Sequence, residues 1–256
     1  MITKKYLGSF VVFHRYTSRE LRKIIHIELE NRSTLFTRWL SNIIATLFIV
    51  GSFCFTIASF FALFISQEFV LKSVPLIYFI GSIFFTLASY LQYLQVINAD
   101  VTNIEHTSLK RRKWIWFAYR KNNLGFLSSS IQLIGTVLFN INTYDGMLTY
   151  TSYIREEFLI SIPNMIGSIC FLLASFFAWL EVYYDKKMRT FVSVLWWIIW
   201  LNILGSVFFQ ISALYGFSFS AHDSETQRLS IYFTMFGGFA FFLASYLLIP
   251  EAKKVQ

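Results

Sequence analysis

Six long apolar runs, none with a charged residue in its central part, constrain this chain more than any other feature. They fall at 39–65, 74–97, 124–142, 158–182, 191–217 and 229–249. A helix rises 1.5 Å per residue, so about 20 such residues cross a hydrocarbon core of about 30 Å. Charged residues make up only 14% of the chain, where a soluble domain carries roughly a quarter. The expected fold is therefore all-α: a polytopic membrane protein with six transmembrane helices. The third run, "LGFLSSSIQLIGTVLFNIN", is the least apolar. A five-span reading would omit it and disturb the charge pattern.

That charge pattern sets an expected orientation. Of the 22 Lys and Arg residues, nineteen fall in 1–38, 98–123, 183–190 and the tail, and three in the alternate loops. The positive-inside rule then places both termini in the cytoplasm, in a cell membrane, with a bacterial inner membrane expected. The formal net charge of +8 is accounted for by this topology and by anionic headgroups, not by nucleic acid. Three parts follow: a cytoplasmic segment at 1–38, a transmembrane domain at 39–250 and a cytoplasmic tail at 251–256. Residues 1–38 lack an apolar core followed by a small-residue cleavage site, so the first span is expected to act as its own insertion signal.

Each run carries one motif, G-[S/T/G]-x-x-F-x-x-small-small, at 51–59, 81–89, 135–143, 167–175, 205–213 and 237–245. Positions i, i+4, i+7 and i+8 share one helical face. Gly51 and Phe55, Gly81 and Phe85, Gly135 and Phe139 thus form stripes with the small pairs that follow. So do Gly167 and Phe171, Gly205 and Phe209, and Gly237 and Phe241. In lipid, helices associate where small residues let backbones approach and hydroxyls bond across. One Phe per stripe can fill the space that a neighbouring Gly vacates. The motif glycines are separated by 30, 54, 32, 38 and 32 residues. The short intervals imply three quasi-repeated hairpins related by an axis along the membrane normal. Because alternate spans run in opposite directions, all six motifs fall from the midplane toward the outer leaflet. Packing is expected to be tight there and looser on the cytoplasmic side.

The surroundings of the motif add a resemblance. "VPLIYFIGSIFFTLASYLQ", "IQLIGTVLFNINT", "WWIIWLNILGSVFFQISAL" and "FGGFAFFLASYLLIPE" resemble the YrhK-like multi-pass bacterial membrane proteins over most of residues 39–251. The resemblance implies a fold and a membrane location, and transfers no functional residues.

Chemistry is sparse. Glu181 falls in the last inner turn of the fourth span, where it can snorkel or pair with Lys186 or Lys187. Amides occur in the spans instead: Gln132, Asn140, Asn142, Asn164, Asn202 and Gln210. An amide in hydrocarbon needs partners. Hydrogen bonds between helices supply them at roughly 0.6 kcal/mol each. The sharper expectation is a polar cavity beside the third span, lined by Gln132, Asn140, Asn164, Asn202 and Gln210. Cys54 and Cys170 share one motif position, where a small polarisable residue packs well. His14, His26, His106 and His222 lie outside the spans. No zinc-protease pair, nucleophile elbow or phosphate-binding loop occurs, so no catalytic residue, metal or cofactor is expected.

Two segments bear on lipid. "TSRELRKIIHIEL" at 17–29 opens with Thr17 and Glu20 at capping-box spacing and reads as a basic amphipathic helix on the inner leaflet. A partner-binding helix is the competing reading. "KRRKWIWFAYRK" at 110–121 interleaves cations with aromatics, as headgroup-level belts do. The expected partners are membrane lipids, anionic headgroups included, and a homo-oligomer is compatible with the pattern. The function expected is a non-enzymatic structural, lipid-associated or sensory role. A passive channel or carrier for a small uncharged solute or lipid is the alternative.

Overall fold

The structure, a computed structural model, describes residues 6–7, 10–11, 30–99, 114–120, 122–148, 157–183, 193–217 and 224–253. The expected helix at 17–29, the cations at 110–113 and all four histidines lie outside the described residues. A two-residue antiparallel pair, β1 (Tyr6–Leu7) with β2 (Phe10–Val11), precedes the helices.

The protein is an all-α polytopic bundle. Among the described residues its α-helices are α1 (Glu30–Phe64), α2 (Glu68–Ala99), α3 (Leu124–Asp145), α4 (Ile162–Tyr183), α5 (Val194–Tyr215) and α6 (Ser224–Lys253). Each contains a stretch long and apolar enough to cross a membrane, from Arg38–Phe64 through Ser224–Glu251. Asn123 caps α3 by accepting from the Phe126 N–H at 2.8 Å, and Ser193 caps α5 by accepting from Trp196 N–H at 3.2 Å. Both satisfy donors that a helix start leaves unpaired. A π-helical turn, Glu157–Ser161, leads into α4, and the Asn142 amide of α3 donates to its Ile160 carbonyl at 2.8 Å.

Three helices begin earlier than expected. Helix α1 starts at Glu30 instead of 39. Helix α2 starts at Glu68 instead of 74, carrying Pro75 inside it, and Glu68 pairs with Lys72 one turn later at 2.7 Å. Helix α6 starts at Ser224 instead of 229. The extensions of α1 and α6 are mostly polar turns that an apolar-run criterion cannot see, whereas that of α2 mixes Phe69, Val70 and Leu71 with Glu68, Lys72 and Ser73.

The helices form a closed ring in chain order. Each packs chiefly against its neighbours in sequence, α6 closes against α1, and the α4–α5 seam is the loosest of the six. Both chain termini of the bundle lie at one end, called here the terminal face. All six motif glycines are buried. A Cβ placed on Gly51 would stand 3.0 Å from the Gly81 carbonyl, and one on Gly81 the same distance from that of Gly51. Gly135 and Gly167 approach each other in the same way (3.0 and 3.2 Å), and a Cβ on Gly237 would lie 3.1 Å from the Gly205 carbonyl. In each pair the Phe of one helix covers the glycine of the other: Phe85 over Gly51, Phe171 over Gly135 and Phe241 over Gly205.

Candidate functional site

The six motif phenylalanines, each only 3–6% exposed, meet in one core cluster. Their ring contacts make two layers. Phe55, Phe139 and Phe209, from helices that run away from the terminal face, have centroids 5.6–6.4 Å apart. Phe85, Phe171 and Phe241, from the helices that return, lie 5.8–6.2 Å apart. Three further contacts join the layers: Phe55–Phe85 at 5.6 Å, Phe139–Phe171 at 5.1 Å and Phe209–Phe241 at 5.5 Å. Edge-to-face and offset pairs at these separations are the favoured aromatic geometries.

On the terminal side of the rings lies a cavity of about 120 Å³. Phe85, Phe171 and Phe241 line it with Phe48 of α1, whereas the other ring layer does not. Its walls carry three amides, Gln92, Gln132 and Asn202, and three hydroxyls, Ser128, Ser175 and Ser245. Glu181, near the end of α4, and Glu251, near the end of α6, line it toward the terminal face.

Each polar wall residue is anchored. Ser128 donates to the Ala174 carbonyl at 2.9 Å, Ser175 shares a hydrogen bond with Ser206 at 2.8 Å, and Ser245 donates to Phe241 O at 2.7 Å. Asn202 Nδ2 donates to Ile198 O at 2.8 Å, and Gln92 approaches Gln132 Oε1 at 3.5 Å. An amide offers both donors and an acceptor, so each retains capacity beyond that bond.

Sequence reasoning missed Gln92 and Glu251, both in the lining, and misplaced Glu181. It is 9% exposed and its carboxylate lies against Gly125, where a Cβ would meet Oε1 at 3.0 Å and Oε2 at 3.3 Å. Gly125 occupies the first turn of α3, so the carboxylate sits at the positive end of a helix dipole. Of the two expectations for it, pairing with Lys186 or Lys187 concerns residues outside the described ones, and snorkelling is replaced by an inward orientation. No pattern within the fourth run signals this, because the space comes from a glycine on another helix.

Of the five amides expected to share a cavity, the structure brings Gln132 and Asn202 to it. Asn140 and Gln210 immediately follow ring residues on outgoing helices, which puts them beyond the rings. There Asn140 donates to Thr86 Oγ1 at 2.9 Å, while Gln210 accepts from Ser168 at 3.0 Å and contacts Met165 Sδ. Asn164 is half-buried on the same far side, ahead of Gly167 on a returning helix.

No family model matches this chain. Neither does any curated protein or solved structure. The resemblance to the YrhK-like proteins therefore stands on the residues quoted above and nothing more. Among the described residues no group of three or more His, Cys, Asp or Glu could hold a metal ion.

A second feature flanks the cavity at the terminal face. Residues 114–120 run as an extended strap along the end of α2. Asn98 Nδ2 donates to the Ile115 carbonyl at 2.8 Å and its Oδ1 accepts from the Ile115 N–H at 2.9 Å. Tyr93 Oη likewise brackets Ala118, donating to its carbonyl at 3.0 Å and accepting from its N–H at 3.1 Å. Arg120 donates to Ile97 O at 3.2 Å, and burial lowers its pKa from the ordinary value, though a guanidinium stays charged near neutrality. The strap leaves Trp116 (59%), Phe117 (79%) and Tyr119 (81%) exposed. Replacing Asn98 with alanine should leave both Ile115 backbone groups unpaired, at about 1–3 kcal/mol. The expected result is faster amide exchange across 114–120 and red-shifted emission from Trp114 and Trp116. Unchanged exchange would mean that the strap is held by other contacts.

Proposed function

We propose that this multi-pass membrane protein is non-enzymatic, of sensory or lipid-associated kind, and holds a small group in a pocket open toward the cytoplasm. The observation that carries the reading is the double layer of phenylalanine rings closing the pocket away from the terminal face. The competing reading, a passive channel or carrier for a small uncharged solute or lipid, would require both ring layers to part.

Support for a cytoplasmic terminal face comes from the nineteen Lys and Arg residues in the segments on that side, under the positive-inside rule. The non-enzymatic reading is supported by the wall hydroxyls, which bond to backbone carbonyls and to Ser206 instead of to a base, as a nucleophile would require. The exposed aromatics of the strap suit the headgroup level, with anionic lipid as partner to the neighbouring cations. The paired glycines of successive helices support three hairpins built as copies of one unit.

The test uses single cysteines in a background carrying Cys54→Ala and Cys170→Ala. Ser128→Cys, in oriented vesicles, is expected to react with silver ion, which is small enough for the cavity, from the cytoplasmic side alone. Proteoliposomes are expected to pass glycerol no faster than protein-free vesicles. Reaction from outside, or glycerol flux above that baseline, would replace the reading with the channel or carrier.

A further inference from the structure

Resting on the one-ended pocket, we infer that its ligand presents an ammonium group, contributed by a small organic amine or by an amine-bearing lipid headgroup. The inner surface is aromatic: Phe48, Phe85, Phe171 and Phe241. These rings close that end of the pocket, ten helical residues and about 15 Å from the carboxylates. At the terminal end the lining changes to the carboxylates of Glu181 and Glu251, with Gln132 and Asn202 between. Among the described residues, the two charged ones in the lining, Glu181 and Glu251, are both acidic. A carboxylate has about four acceptor sites, so an ammonium can join whatever bonds these oxygens already make.

Size narrows the class. A volume of about 120 Å³ lies well below the ~300–1,000 Å³ of a drug-sized pocket. It suits a group such as ethanolammonium. The pocket also reaches the loosest seam of the bundle, being lined by Ala178, Glu181 and Val182 of α4 and by Leu195, Ile198 and Ile199 of α5. A headgroup could enter there from the bilayer, whereas a free amine would enter from the terminal face.

The experiment uses the purified full chain. In detergent, ethanolammonium chloride is titrated calorimetrically beside ethylene glycol, a neutral analogue of similar size. In nanodiscs of phosphatidylglycerol, the melting temperature is followed with and without phosphatidylethanolamine. Ethanolammonium is expected to bind, and Glu181→Gln to weaken it about tenfold or more, the scale of one charge-assisted hydrogen bond. Glycol should give no heat. Binding of the free amine assigns the soluble source. Stabilisation by phosphatidylethanolamine alone, lost in Glu181→Gln, assigns the headgroup. Should Glu181→Gln not fold, Glu251→Gln and Asn202→Leu carry the same comparison. Equal binding of glycol, an unweakened variant, or no response in either arm overturns the inference. Silver-ion reactivity of Ser128→Cys is read without added amine, so a pocket that is open but indifferent to amines remains distinguishable from no pocket.

Discussion

Gly81→Leu is expected to keep α1 and α2 from assembling, and Gly81→Ala to destabilise the bundle by about 1–3 kcal/mol, the usual range for overpacking. A Cβ on Gly81 would stand 2.8 Å from Cys54 Cβ and 3.0 Å from the Gly51 carbonyl. Neither obstacle is the end of a flexible side chain. One is the first carbon of a residue on the facing helix and the other is backbone, so the two helices themselves must move apart. Lipid gives no hydrophobic reward for keeping them together, and association rests on close packing and hydrogen bonds. Separation therefore forfeits much of what holds the hairpin. The same geometry grades the series. At Gly167 the nearest atoms are at 3.2 Å, so Gly167→Ala should cost less than Gly81→Ala. Ile80, 41% exposed on the adjacent position, provides the control: Ile80→Ala should stay within about 0.5 kcal/mol. Unfolding in mixed micelles, followed by circular dichroism, ranks the variants. A Gly81→Ala protein that unfolds with the unsubstituted chain would show that the helices pack elsewhere.

The close approach at Gly81 was legible because its cause is periodic. Gly, Phe and the small pair recur at spacings that must share a helical face, and a face rich in small residues must meet another helix. Long apolar runs likewise had one outcome in lipid. What escaped was decided by polar turns and by pairings across the bundle. Glu68 and Lys72 extend α2 by a contact local to that helix, which hydropathy does not register. Gln132 and Asn202 were recognisable as amides that needed partners, but their grouping with Asn140 and Gln210 ignored the direction of each helix. Asn140 follows Phe139, and Gln210 follows Phe209, on helices leaving the terminal face. Once the rings form a layer, both amides must lie beyond it, where Thr86 and Ser168 await them. Glu181 turns inward because Gly125 gives it room, a relation between two helices that neither run announces.

The ring layers also define the largest functional effect expected. Phe171→Ala alone should enlarge the cavity without opening the bundle, because Phe139 lies directly behind, stacked at 5.1 Å and 25°. Phe139→Ala alone leaves the layer of Phe85, Phe171 and Phe241 in place. Both together remove one column of the seal, joining the cavity to the far side where Asn140 and Gln210 sit. Glycerol flux through proteoliposomes should then rise above the protein-free baseline for the double variant and stay at it for each single one. That departure from additivity is what two barriers in series require. In water-soluble cores a Phe→Ala change costs about 3–5 kcal/mol. Part of that is transfer from water, which lipid does not impose, so the cost here should fall nearer the loss of packing contacts alone. If the double alanine variant still fails to fold, Phe139→Val with Phe171→Val shortens the same column with a smaller void. A folded double variant as tight as the unsubstituted protein would mean that another layer closes the bundle, and the one-ended pocket would lose the feature that makes it one-ended.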